Sequence, residues 1–235
     1  LIRQFCIFIC SYQQNCRYYG DNINKSPLPP PSMNLSELQQ EYQHCQRCPA
    51  LCQSRTKVVF GSGHPQAQVL LIGEAPGAHE DKQGIPFVGM AGKILNELLA
   101  TAGIAREDVF ITNTILCRPE NNRPPEKEEV DNCRERLDTL IDIMKPKVIV
   151  TIGNFATERM LGKKGITSLR GKLFMLKIKE QEVHVVPVIH PASYLYNGRS
   201  PVLWQQMKED FQTIARVISE HRQQRSIMDF GRPLL

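Results

Sequence analysis

The residues best suited to chemistry lie in two turns, each following a short apolar run. Val69-Leu70-Leu71-Ile72 breaks into Gly73-Glu74-Ala75-Pro76-Gly77, and Val185-Val186-Pro187-Val188-Ile189 breaks into His190-Pro191-Ala192. In an open α/β sheet, ligands bind outside the carboxyl ends of the strands. Two such ends that turn into rigid polar segments predict one cleft furnished with a carboxylate, an imidazole and backbone amides.

A second set of residues carries ligand chemistry. Beyond residues 1–32 the chain has Cys45, Cys48, Cys52, Cys117 and Cys133. Cys45-Gln46-Arg47-Cys48 is a C-x2-C turn, while Cys117 and Cys133 flank a segment containing Pro119, Pro124 and Pro125. A reducing compartment disfavours disulfides, so a metal centre is the stronger reading than two cross-links or buried apolar thiols. Four thiolates from two distant segments suit either a structural zinc or a 4Fe-4S cluster, and spacing alone does not separate these. Cys52 stays outside the set, since a fifth thiolate is not required.

The elements that must position these residues follow from apolar patterning. Continuous Val- and Ile-rich runs at Val69–Ile72, Val109–Ile111, Val148–Ile152 and Val183–Ile189 predict buried parallel strands. Between them, helical periodicity spans Gly92–Ala102 and Glu126–Met144, and a long terminal helix opens at Pro201. A shorter helix is expected after Gly153, with Asn154 capping it and Gly162 ending it. Lys172–Lys179 predicts an edge strand, with Phe174, Leu176 and Ile178 on one face, hairpinned through Glu180-Gln181 to the last parallel strand. Strand and helix alternation of this kind implies βαβ units in a layered α/β fold.

Length and composition bound the remaining possibilities. With 235 residues, 41% of them hydrophobic, one substantial domain is the simplest organisation. Residues 1–32 lack an initiator Met and run into Pro27-Leu28-Pro29-Pro30-Pro31, which reads as a disordered or artefactual extension. The functional domain is expected over residues 33–221, followed by a flexible tail over 222–235. The formal net charge of +5 falls to +3 once Arg3, Arg17, Lys25 and Asp21 of the extension are set aside, a balance that permits nucleic-acid binding without arguing for it. No apolar stretch approaches the ~20 residues of a membrane span, and Phe5–Cys10 is too short for a secretory core, so a cytoplasmic location is expected.

With these residues in place, the chain resembles the family 4 uracil-DNA glycosylases, the iron-sulphur branch of their superfamily. The likeness runs from about Leu38 to Ile218. It rests on Cys45-x2-Cys48, Val58-Val59-Phe60-Gly61, Gly73-Glu74-Ala75-Pro76-Gly77, Glu80-Asp81, Pro86-Phe87-Val88-Gly89, Asn113 with Cys117-Arg118-Pro119, Cys133, and His190-Pro191-Ala192. The resemblance implies a three-layer α/β/α sandwich around a mainly parallel four-stranded sheet. It also implies a 4Fe-4S cluster on Cys45, Cys48, Cys117 and Cys133, and hydrolysis of the N-glycosidic bond of uracil in DNA, leaving an abasic site for base excision repair.

Residue chemistry fits that activity. Phe87, held in a loop by Pro86 and Gly89, offers a face on which an everted pyrimidine stacks. Asn113 carries a donor and an acceptor that match O4 and N3–H of uracil, whereas cytosine presents the reversed pattern. His190, with the backbone amides of the Glu74-Ala75 turn, is placed to stabilise negative charge developing on O2, and Pro76 belongs to the same uracil-binding turn. Related branches carry Asp or Asn at the position of Ala75 to orient water, which leaves backbone groups, Glu74 or Glu80 for that task here. Glu80 also resembles a family residue set near uracil C5, where it excludes the thymine methyl.

DNA contact is expected from Ser193, Tyr194, Leu195, Tyr196 and Arg199 in the loop after His190, where an apolar side chain could fill the gap left by the extruded base. Arg170 is a candidate phosphate contact, as are Arg118, Arg123, Lys163 and Lys164. Gln224, Ile227 and Phe230 resemble a sliding-clamp-binding peptide, although Gly231 replaces its usual second aromatic. The protein is expected to act as a monomer. The competing reading is a non-catalytic or covalently trapping uracil-DNA binding protein. Trapping relatives carry a reactive histidine in a basic loop, whereas Gly162-Lys163-Lys164-Gly165-Ile166-Thr167-Ser168 has none.

Overall fold

Alternating side chains of the buried strands feed two separate cores, one on each face of a single sheet. The computed structural model describes residues 33–230, with the backbone alone from 224 onward. Residues 1–32 and the end of the tail lie outside it. Leu70 and Ile72 face a core shared with Leu137, Leu140, Ala156 and Met160, while Val69 and Leu71 face one shared with Leu95, Leu98, Phe211 and Ile214. Strands buried on both faces need helices on both, which is the expected three-layer arrangement.

In chain order the elements are α1 (Leu35–Gln43), α2 (Pro49–Ser54), β1 (Ser62–Gly63), β2 (Val69–Gly73), α3 (Ala78–Gln83) and α4 (Met90–Thr101). They continue with β3 (Phe110–Asn113), α5 (Lys127–Asn132), α6 (Arg134–Met144), β4 (Val148–Ile152) and α7 (Gly153–Leu161). The last are α8 (Ile166–Leu169), β5 (Phe174–Ile178), β6 (Gln181–Val188), α9 (Pro191–Tyr196) and α10 (Pro201–Phe230). The sheet order is β1-β3-β2-β4-β6-β5. β3, β2, β4 and β6 pair in parallel and form the expected four-stranded centre. Two antiparallel edges, β1 on β3 and β5 on β6, raise the strand count to six.

β5 is the predicted edge strand, and its hairpin turns at Lys179-Glu180, one residue earlier than expected, with Lys179 at φ 53°. β1 is only two residues long and carries no periodicity to read. The helical pattern over Glu126–Met144 divides at Cys133, which closes α5 and opens α6. Asn154 does not cap α7: the helix starts at Gly153, and the Asn154 side chain instead accepts the Ile166 amide at 2.9 Å, tying α8 to α7. α10 stays helical through Phe230, so its backbone extends into the segment expected to be a flexible tail. Among the described residues, no helix is long and apolar enough to cross a membrane.

Candidate active site

The two turns follow β2 and β6, parallel strands of one sheet with β4 between them, and β3 pairs with the other side of β2. Asn113 is the last residue of β3, opposite Gly73 at the end of β2. The chain leaving β3 is pinned to the Gly73 turn, with the Thr114 amide donating to the Gly73 carbonyl at 2.8 Å and the Ile115 amide to the Glu74 carbonyl at 3.2 Å. The Asn113 side chain is buried, and its Oδ1 has no hydrogen-bond partner among the described residues. An orphaned carbonyl oxygen of this kind costs about 1–3 kcal/mol unless a ligand satisfies it.

Gly73 is what allows the reading groups to meet. A Cβ there would sit 2.3 Å from Asn113 Oδ1 and 2.7 Å from the Phe87 ring. Gly73→Ala is therefore expected to displace both, lowering stability by about 1–3 kcal/mol in a denaturant titration.

Phe87 is held in the left-handed region at φ 52°, a conformation costly for a bulky residue and maintained by its surroundings. Glu80 supplies one restraint: its Oε1 accepts the amides of Val88 at 2.9 Å and Gly89 at 2.7 Å. Arg106 supplies another by donating to the Pro86 carbonyl at 2.8 Å. A Cβ on Gly92 would fall 1.9 Å from the Phe87 carbonyl oxygen, so only glycine lets α4 lie against this loop. Asp81, buried beside Glu80, accepts the amides of Thr56 and Lys57 and anchors α3. Glu80 is thus tied through Oε1 to the loop that carries Phe87.

His190 packs against Phe87, with ring centroids 5.8 Å apart and 30° between planes. Gly153 brings the start of α7 against its other side, where a Cβ would stand 3.4 Å from His190 Cβ. The imidazole caps α9 by accepting the Ala192 amide at Nδ1 over 3.1 Å. In the neutral ring this leaves the proton on Nε2. Burial pushes the pKa down to about 4, against a smaller upward pull from Glu80.

The folded protein therefore keeps this ring neutral where the unfolded chain, with its ordinary value of 6.5, begins to protonate it. The site's contribution to stability is complete above about pH 6.5 and is lost as pH falls through about 4. Between these values the denaturant midpoint of the wild type is expected to fall more steeply than that of His190→Gln. Parallel curves would refute the neutral imidazole.

Glu74 is half-buried at the mouth of the same turn, and burial raises its pKa. Pro76 is buried, and Ala75 packs against the α1 and α6 side of the core. Phe87, Asn113 and His190 thus lie together beside Gly73, and Glu74, Ala75 and Pro76 continue the chain from it.

The four predicted metal-ligating cysteines occupy one region. Cys117 and Cys133 are buried, Cys45 and Cys48 half-buried, and none is in a disulfide among the described residues. Cys133 and Cys45 both act electrostatically on Cys48 and on Cys117. Burial pushes the Cys117 thiol up to about 12, while Arg55 opposes this by donating to its Sγ at 2.9 Å. Arg55 also donates to the Cys45 carbonyl, and Asn132 to Cys48 Sγ at 3.5 Å. Among the described residues, no three His, Cys, Asp or Glu side chains converge closely enough to hold a single metal ion.

Beyond the cleft, several surface expectations change. Tyr194 rests on Trp204 with centroids 5.1 Å apart, and Leu195 packs against the α4 and α10 side of the core. Tyr196, the next residue, is 87% exposed. Arg199 is exposed beside it. Arg170 is committed elsewhere: its guanidinium meets both oxygens of buried Asp210, at 2.8 and 3.0 Å, and the Gln206 carbonyl, fixing α10 in place. Arg123 is likewise held by Glu129 at 2.6 Å, and Arg118 by Asn122 at 2.8 Å.

Two arginines carry no mark of their roles in the sequence. Arg55 sits against the cysteines, and Arg136 is wholly buried behind Asn113. Neither type nor spacing distinguishes them, because an arginine on an amphipathic helix ordinarily reads as solvated.

Comparison with known proteins agrees with this geometry. Residues 60–214 match the family model described as the uracil DNA glycosylase superfamily. The chain is 45% identical over 187 residues to a type-4 uracil-DNA glycosylase of Sulfurisphaera tokodaii, covering 77% of this chain and 83% of that one. Identity to a type-4 enzyme of Archaeoglobus fulgidus is 37% over 202 residues, covering 84% and 98%. For Thermotoga maritima the figures are 44% over 171 residues, covering 72% and 86%.

Proposed function

The chain belongs to the uracil DNA glycosylase superfamily and is a uracil-DNA glycosylase of DNA repair, and we propose that it works by seating an everted uracil between Phe87, Asn113 and His190. The observation that supports this most strongly is the partnerless Oδ1 of Asn113, buried against Gly73 and Phe87. That oxygen is matched by N3–H of uracil, and the amide nitrogen of the same group by O4. Cytosine leaves both unsatisfied, a mismatch that a buried polar site rejects strongly.

Extrusion from the duplex costs a few kcal/mol of stacking and pairing, which stacking on Phe87 offsets. As the bond between C1′ and N1 breaks, its electron pair leaves with the base and negative charge collects at O2. The Nε2–H of neutral His190 donates there, in a site where the backbone of Glu74 and Ala75 adds further polarity. A water molecule attacks the sugar cation at C1′, and Glu74 orients it and accepts its proton. A carboxylate whose pKa is raised by burial suits that transfer. Ala75 has no side chain to take part.

Cys45, Cys48, Cys117 and Cys133 would hold a 4Fe-4S cluster. Four cysteine thiolates are the ligand set such a cluster takes. When bound, the cluster supplies a cross-link between the α1–α2 segment and the loop leading into α6 and takes no part in bond cleavage. Free thiols suit a cytoplasmic setting.

For DNA, Tyr196 rather than Leu195 would enter the stack, with Arg199 and Lys163 near phosphates. Gln224, Ile227 and Phe230, whose side chains lie outside the described residues, would engage a sliding clamp, the enzyme itself acting as a monomer.

The test is incubation with a duplex carrying one U·G pair, followed by alkali and by assay of free uracil. The expected result is an abasic site, stoichiometric uracil and no release from C·G or T·A duplexes, from a protein with broad visible absorbance. A covalent protein–DNA adduct in place of free uracil would establish the trapping alternative.

A further inference from the structure

Arg136 is the least expected residue in the fold: a guanidinium with no exposure at all, whose Nε has no hydrogen-bond partner. Burial lowers its pKa, with Cys133 and Tyr42 acting in the opposite sense. Buried ionic groups can often be replaced by apolar ones of like volume with little loss of stability, so their presence calls for a role other than stability. The contacts of Arg136 indicate that role. Nη1 donates to Thr112 Oγ1 at 3.1 Å, and Nη2 donates to the carbonyls of Asn113 at 2.6 Å and Thr114 at 3.1 Å. These are the last strand residue before the reader, the reader itself and the residue after it.

We propose that Arg136 is the positioning residue for base recognition, its planar fork clamping the backbone on either side of Asn113 so that the carboxamide presents a fixed face to the base. The inference rests on the uracil-reading role proposed for Asn113. At the end of β3 the parallel pairing with β2 stops at Gly73, so the ladder no longer restrains these carbonyls. The Asn113 Oδ1 has no protein partner to orient it. The orientation of the amide is then inherited from the main chain, and the main chain is held by the guanidinium on one side and the Gly73 turn on the other. Arg136 also lies in the first turn of α6, shortly after Cys133, so the cysteine-bearing segment and the reader share one anchor. A lysine can carry the charge but lacks the planar fork that reaches several acceptors in fixed directions.

The experiment compares wild type, Arg136→Lys, Arg136→Met and Thr112→Val. Each is assayed for single-turnover uracil release, inhibition by free uracil, and affinity for a duplex carrying a tetrahydrofuran abasic analogue, which offers Asn113 nothing to read. Arg136→Lys is expected to slow uracil release by roughly 10- to 100-fold and to weaken free-uracil inhibition similarly, as misplacement near 1 Å does. Its affinity for abasic DNA should stay within about twofold of wild type. Thr112→Val, which keeps both carbonyl contacts, should lose less than about threefold.

A folded Arg136→Lys or Arg136→Met with wild-type uracil release overturns the proposal. So does a fall of the same factor in uracil release and abasic-DNA affinity, which marks a merely structural role. If Arg136→Met does not fold, Arg136→Lys and Thr112→Val decide alone. Wild-type protein that releases no uracil would instead defeat the reading on which the inference rests.

Discussion

His190→Ala is expected to slow single-turnover uracil release by roughly 10²- to 10³-fold, the loss typical of removing one preorganised donor to a developing anion. The tautomer decides which atom does this. Nδ1 is occupied in accepting the Ala192 amide, and burial keeps the ring neutral, so Nε2–H is the group presented to the cleft. A neutral donor that is already desolvated needs no rearrangement as charge reaches O2. Truncation also removes the cap of α9, which costs about 1 kcal/mol and shows as a lower melting temperature. That cost cannot account for the loss of rate, and duplex affinity should be nearly retained. A variant that keeps more than about a tenth of wild-type activity would be incompatible with the role.

Asn113→Ala should separate function from stability in the opposite direction. The amide is buried with an unsatisfied oxygen, so deleting it relieves a cost of about 1–3 kcal/mol that offsets the loss of packing. Its stability in a denaturant titration is expected to match or exceed the wild type. Uracil release should meanwhile fall by roughly 10- to 200-fold, the worth of a bidentate base contact. A fall in both together would identify Asn113 as an ordinary core residue.

The strands were legible because Val69–Ile72, Val148–Ile152 and Val183–Ile189 are apolar without interruption, as strands covered on both faces must be. The same continuity located Gly73, Asn113 and His190 at strand ends, and hence in one cleft. Side-chain direction was not legible. Glu80 and Arg170 have the right types for catalysis and phosphate binding, yet one is committed to the amides of Val88 and Gly89 and the other to Asp210. Asn154 shows the same limit, since its carboxamide bonds across the chain to Ile166 rather than to its own helix.

Leu195 and Tyr196 are adjacent and similarly apolar, and only the docking of α9 decides which is covered. The division of Glu126–Met144 at Cys133 left no trace because residues on both sides keep helical periodicity. The opening helix was within reach: Asn34 and Glu37 form a reciprocal capping box three residues apart, a signature carried by residue type and spacing alone.

The most direct measurement is nuclear magnetic resonance of ¹⁵N-labelled protein titrated with free uracil. The Asn113 Nδ2–H₂ pair and the His190 Nε2–H are expected to shift together along one saturation curve, because both donate to the same bound ring. Shifts confined to one of them, or saturating at different uracil concentrations, would contradict a shared pocket at the ends of β3 and β6.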